Sequence, residues 1–102
     1  MPHVPLFNRR QKELDHPLEV EVNGDTVVLK LDKAYTGKAV EETFSKAALL
    51  PLAGPTFHSM DDVIGFTFES EGDGWIHGLV GVGSGNERFL MKTADFSAAL
   101  GD

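Results

Sequence analysis

Residues 18–29 read LEVEVNGDTVVL, and this stretch carries the strongest fold signal in the chain. Asn23-Gly24 is a pair that favours a two-residue hairpin turn, because such turns need positive φ at their centre. With that pair at the tip, Val22 faces Asp25, Glu21 faces Thr26, Val20 faces Val27 and Leu18 faces Leu29. Leu18, Val20, Val27 and Leu29 then share one face, while Glu19, Glu21, Thr26 and Lys30 share the other. Turn chemistry and apolar alternation therefore select a hairpin with one buried side.

Working outward, residues 38–50 carry Val40, Thr43, Phe44, Ala47, Ala48 and Leu50 on one arc at 3.6-residue spacing, with Lys38, Glu41, Glu42 and Ser45 opposite. That spacing predicts a one-sided helix, with Glu41 and Glu42 in its first turn, where negative charge suits the helix dipole. Gly37 precedes it and Pro51 stops it. Residues 51–60 (PLAGPTFHSM) read as a connection. Beyond it the period is two. Ile64, Phe66 and Phe68 alternate with Gly65, Thr67 and Glu69; residues 75–82 (WIHGLVGV) and 87–92 (ERFLMK) follow, separated by turns at 71–74 and 83–86. With Ser84-Gly85 at the second tip, Val80 faces Phe89 and Gly78 faces Met91 on the inner side. The outer side carries Trp75, His77, Leu79, Leu90 and Lys92, with His77 opposite Lys92. Thr93 is placed to cap a short helix over 94–100, with Phe96 and Leu100 on its buried side.

The order predicts an α+β fold: a mostly antiparallel five-stranded sheet built from a β-hairpin, a helix, a three-stranded meander and a short C-terminal helix. Residues 16–102 form the single domain and residues 1–15 an extended N-terminal arm. The arm begins MPHVPLFNRRQK, where two prolines deny hydrogen-bond donors and favour extended backbone.

Length and charge narrow the function. The 102 residues, without cysteine, fit one small domain and exclude disulfide staples, zinc ribbons and thiol chemistry. No apolar run approaches the roughly 20 residues that span a bilayer, and no signal peptide is evident, so membrane insertion is not expected and a cytoplasmic, intracellular location is. Sixteen acidic residues oppose nine basic ones, for a net charge of −7. Arg9, Arg10 and Lys12 fall in the arm; without them six basic residues oppose sixteen acidic ones, a body of −10. Such a body repels phosphate backbones, which argues against direct nucleic-acid binding.

Chemistry-bearing motifs do not assemble. The run of residues 78–86 (GLVGVGSGN) misses dinucleotide and Walker spacing, and a strand rather than a helix follows it. Ser84 lacks a nucleophile elbow. His3, His16, His58 and His77 form no metal-ligating pair at short spacing. Adjacent Asp61 and Asp62 point apart in a strand or a helix. No catalytic residue, metal site or cofactor is assigned.

The half-apolar sheet face is the most informative surface, because exposed aromatic and aliphatic clusters mark interfaces. The expected function is a non-catalytic protein–protein interaction module of the acidic inhibitor or accessory type. Its partner-binding residues are Phe7, Arg9, Arg10, Trp75, Leu79 and Leu90, engaging a protein partner or a second copy. Two alternatives stand beside it. One is a structural assembly protein of virion type, tethered by its arm. The other is a small enzyme or ligand-binding protein with a site near His58, Asp61 and Asp62.

Overall fold

The computed structural model describes residues 2–32, 39–49, 64–82 and 86–101. The chain order is β1 (His3–Val4), β2 (Leu18–Asn23), β3 (Thr26–Leu31), β4 (Val40–Ser45), the short α1 (Lys46–Leu49), β5 (Ile64–Gly72), β6 (Trp75–Val82), β7 (Asn86–Lys92) and α2 (Thr93–Ala99). All pairing is antiparallel, in one sheet of order β1-β2-β3-β4 and a second of order β5-β6-β7. The architecture is mostly β. It is not the single five-stranded α+β sheet that the order of elements predicts.

The main correction is β4. Residues 40–45, expected as the body of a helix, pair along β3 from Leu31↔Val40 to Thr26↔Ser45. Among the described residues of this stretch, helix covers Lys46–Leu49. Val40 and Phe44 lie at a spacing that suits one helical face and equally one strand face, and both are buried here. Val, Thr and Phe favour strands, and a waiting β3 edge supplies partners that local propensity cannot weigh. The strand count rises from the expected five to seven among the described residues, because β4 and the arm strand β1 each add to the hairpin.

The hairpin keeps its predicted faces with a turn moved by one residue. Asn23 pairs with Thr26, Val22 with Val27 and Val20 with Leu29, so Gly24-Asp25 is the tip. Gly24 has φ +61 at the first central position, where a type II′ turn places its glycine. Because both strands move together, parity is conserved: Leu18, Val20, Val27 and Leu29 are all buried. The β6–β7 pairing differs from expectation in the same way. Gly78 lies opposite Phe89, Ile76 opposite Met91 and His77 opposite Leu90. The final helix begins at Thr93 with Lys92 as its N-cap and no side-chain cap, so Thr93 does not serve as one. Phe96 and Leu100 are buried, as their spacing predicts.

The two sheets meet at both edges. On one side, Phe7 exchanges two backbone hydrogen bonds of 2.8 Å with Leu90 of β7, so the arm that pairs with β2 at His3–Val4 continues onto the second sheet. On the other, the Phe66 amide of β5 donates to Glu42 Oε1 of β4 at 2.7 Å. Gly65 makes that approach possible, since a Cβ there would collide with the Glu42 carboxylate. Each sheet is thus tied to the other at two places, by a backbone bridge on one side and by a side-chain bond on the other. Phe68 sits at the centre of the core, its ring 5.8 Å from Phe96, 6.3 Å from Phe44 and Phe89 and 6.4 Å from Phe66. Helix α2 packs against β1 and β7.

The connection over residues 51–60, with His58, the carboxylates Asp61 and Asp62 beyond it, and the turn residues 83–85 with Ser84 lie outside the described residues.

Candidate partner-binding face

Alternation along β6 and β7 turns Ile76, Gly78, Val80, Phe89 and Met91 inward, where all are buried. The intervening residues form an outer row of direct cross-strand neighbours: Trp75 beside Lys92, His77 beside Leu90 and Leu79 beside Arg88. Trp75 and Leu79 are half-buried, whereas His77, Arg88 and Lys92 are exposed. His77 therefore neighbours Leu90 rather than Lys92.

The arm shapes this face. Val4 and Leu6 are fully buried, which anchors the segment in the core. Phe7, half-buried, lies over the β7 edge, and its ring meets Trp75 edge to face at 5.2 Å between centroids. Lys92 Nζ stands 5.6 Å from the Phe7 ring centre and 6.0 Å from that of Trp75. A cation at this range is attracted to the negative ring faces. Coverage by Phe7 explains why Leu90, on the outer side, is only 8% exposed.

Beyond Phe7 the arm turns back on itself. Leu14 N–H donates to the Leu6 carbonyl, and Asn8 N–H to the Lys12 carbonyl. The Asn8 side-chain oxygen accepts from the Arg10 and Lys12 amides at 2.8 and 3.1 Å, and Gln11 adopts φ +61. Asparagine commonly closes turns by such bonds to backbone two or more residues ahead. The built turn presents Arg9 and Arg10, both exposed. Arg9 leans to the sheet, where it lines a groove of about 390 Å³ with His77, Gly78, Arg88, Phe89 and Leu90.

Of the residues singled out from sequence, Phe7, Trp75 and Leu90 converge in one cluster. Leu79 lies on the same face beside Arg88, Arg9 enters the groove, and Arg10 stands at the turn tip. Arg88 was not singled out. The β6–β7 register decides whether it stands beside Leu79, as observed, or beside Gly81, as the sequence predicts. Asn8 was also missed, although Asn is a legible turn former. Among the described residues no group of three or more His, Asp or Glu side chains is gathered as a metal would need, and no helix is long and apolar enough to cross a membrane.

No family model matches the chain, and no curated protein matches it. Two solved structures share its fold. One is described as an SsgA-like sporulation-specific cell division protein from Thermobifida fusca, with a TM-score of 0.61 and 14% identity over 97% of this chain and 73% of that one. The other is from a study of SsgB mutations that correlate with longitudinal cell division during sporulation of Streptomyces coelicolor. Its TM-score is 0.60, with 16% identity over 97% of this chain and 77% of that one. At these identities the likeness is one of fold: two antiparallel sheets closed by a short C-terminal helix.

Proposed function

We propose that this chain is a non-catalytic protein-interaction module that binds a protein partner through the outer face of β6–β7 and the arm clamped to it. The observation that carries this reading is the Phe7–Trp75–Lys92 cluster. Two aromatic rings and a cation are held together at a half-exposed edge, and Leu79 extends the apolar surface. Aromatic and cationic side chains on a rigid sheet are the composition of interface anchors. The described roles of the two fold neighbours in sporulation cell division support a setting among assembling proteins rather than in metabolism.

The test is crosslinking in cells followed by mass spectrometry, with Lys92 as the reactive position. Crosslinks from Lys92 to another protein, lost in Leu79→Asp while circular dichroism is unchanged, support the reading. Crosslinks that survive Leu79→Asp, or a Lys92 that links only within its own chain, overturn it.

A further inference from the structure

We propose that Asn23, at the tip of the β2–β3 hairpin, is a site of spontaneous deamidation, and that the conversion reverses its hydrogen-bonding role toward Glu21. The site belongs to the first sheet and does not depend on the partner-binding face.

Three asparagines occur in the chain: Asn8 before Arg9, Asn23 before Gly24 and Asn86 before Glu87. In deamidation the backbone nitrogen of the following residue attacks the asparagine Cγ. A Cβ on that following residue crowds the approach, and Gly24 has none. A bond forms between the Gly24 nitrogen and Cγ, and the Cγ–Nδ2 bond breaks. Ammonia leaves, its third hydrogen coming from the Gly24 N–H, and a cyclic succinimide remains. Water then opens either carbonyl, giving aspartate, or an isoaspartate whose main chain runs through the former side chain.

The tip admits this chemistry and the fold restrains it. Asn23, Gly24 and Asp25 are exposed, so water reaches the reacting atoms. A Cβ built on Gly24 would meet nothing within 4 Å, so no described neighbour encloses that residue. Against this, Asn23 pairs with Thr26 as the last rung of the hairpin, and Thr26 Oγ1 donates to the Asn23 carbonyl at 3.0 Å. Asn23 Nδ2 donates to Glu21 Oε2 at 3.1 Å. These contacts hold Asn23 extended, and attack on Cγ requires it to turn out of them. The reaction therefore runs from a frayed tip and reports its opening.

The product changes what surrounds it. The Asn23 bond is the largest influence holding the Glu21 carboxyl below its ordinary range. After conversion the same position carries a carboxylate with no proton to donate. Two carboxylates, two residues apart on one strand face, then repel each other where Lys30 Nζ stands 3.3 Å from Glu21 Oε1. Isoaspartate also lengthens the main chain beside Asp25, whose carbonyl accepts from the Lys46 amide at 2.8 Å, so the change reaches the start of α1.

The experiment incubates the full chain in mildly alkaline buffer, folded and in urea, and follows each asparagine by peptide mapping and mass spectrometry. Asn23 is expected to convert first, with a mass gain of about one dalton and separable aspartyl and isoaspartyl forms. Conversion should be slower folded than in urea. Thr26→Val removes one bond on the Asn23 carbonyl and should speed the folded reaction roughly twofold to tenfold. Asn23→Asp supplies the aspartate product directly and should melt below the wild type in low salt, with the gap narrowing as salt is added. Loss of Asn8 or Asn86 ahead of Asn23 overturns the assignment of the site. Equal rates folded and in urea, or a Thr26→Val rate equal to wild type, overturn control by the hairpin. An Asn23→Asp chain that melts with the wild type at every salt concentration overturns the reversal at Glu21.

Discussion

Phe7 and Trp75 stand at 86° to each other with ring centres 5.2 Å apart, which fastens the first residues of the chain to the start of β6. The contact lies beside the two backbone bonds that Phe7 exchanges with Leu90, so ring packing and strand pairing reinforce one another. An edge-to-face pair contributes about 0.5–1.5 kcal/mol beyond its area burial. A double-mutant cycle on Phe7→Ala and Trp75→Ala should return a coupling of about 1 kcal/mol. The Leu90 amide, which donates to the Phe7 carbonyl, should exchange with deuterium faster in Phe7→Ala. Unchanged Leu90 protection would mean that Val4 and Leu6 hold the arm without the aromatic contact.

The opposite joint between the sheets depends on one carboxylate. Glu42→Ala leaves the Phe66 amide without its acceptor in a part-buried place and should cost about 1–3 kcal/mol. Glu42→Gln retains an oxygen that can accept the bond, so its loss should be smaller. Gly65→Ala displaces the same carboxylate and should cost a similar amount alone. In the Glu42→Ala background the added methyl has lost its collision partner, so the double variant should be more stable than the sum of the singles allows. Urea denaturation of the four proteins measures this, and strict additivity would dissociate Gly65 from Glu42.

These two joints also mark where sequence reading stops. The faces of the first hairpin were legible because side-chain alternation survives a moved turn, as Leu18, Val20, Val27 and Leu29 show. The turn itself was displaced because glycine can occupy either central position, and only strand pairing chooses between them. Residues 40–45 were misread since Val40 and Phe44 satisfy a helical and an extended face alike; the deciding influence, the β3 edge, is distant in sequence. Leu6 was equally opaque. One leucine between Pro5 and Phe7 has no period, so its complete burial follows only from the arm's path between the sheets. On the candidate face, Trp75, Leu79 and Leu90 were legible from alternation. Arg88 joins that face only through the observed register, which sets it beside Leu79.

Phe68 links the two halves of the core. Its ring neighbours come from β4, from β5 itself, from β7 and from α2. Phe68→Ala should therefore destabilise by about 3–5 kcal/mol, since four rings cannot all collapse into one void. Phe44 is slightly more exposed and meets this ring cluster from the β4 side, so Phe44→Ala should cost less. Chemical denaturation of both variants tests the order, and a larger loss for Phe44→Ala would move the centre of the core toward β4.

The acid limb of stability should reflect Glu21. The Asn23 side-chain amide donates to Glu21 Oε2 at 3.1 Å, and Lys30 Nζ reaches Oε1 at 3.3 Å. The Asn23 bond first, then the Lys30 bond and charge, hold the Glu21 carboxyl below the usual carboxylate range. A lowered folded pKa adds stability that is present above the unfolded value and disappears as pH falls through the folded one. Lys30 is held above the ordinary lysine value by the same carboxylate, so its share is present below the unfolded lysine pKa and is lost as pH rises through the folded one. The two side chains are 34% and 36% exposed, enough for water and salt to reach the pair, so the effect should be small and weakened by salt. Melting temperatures of the wild type and Glu21→Gln should differ most near neutral pH in low salt. They should converge as pH falls through the carboxylate range, where the wild-type Glu21 gains its proton and loses its attraction for Lys30. A difference that persists undiminished in acid would show that the glutamate acts through packing against Asn23 rather than through its charge.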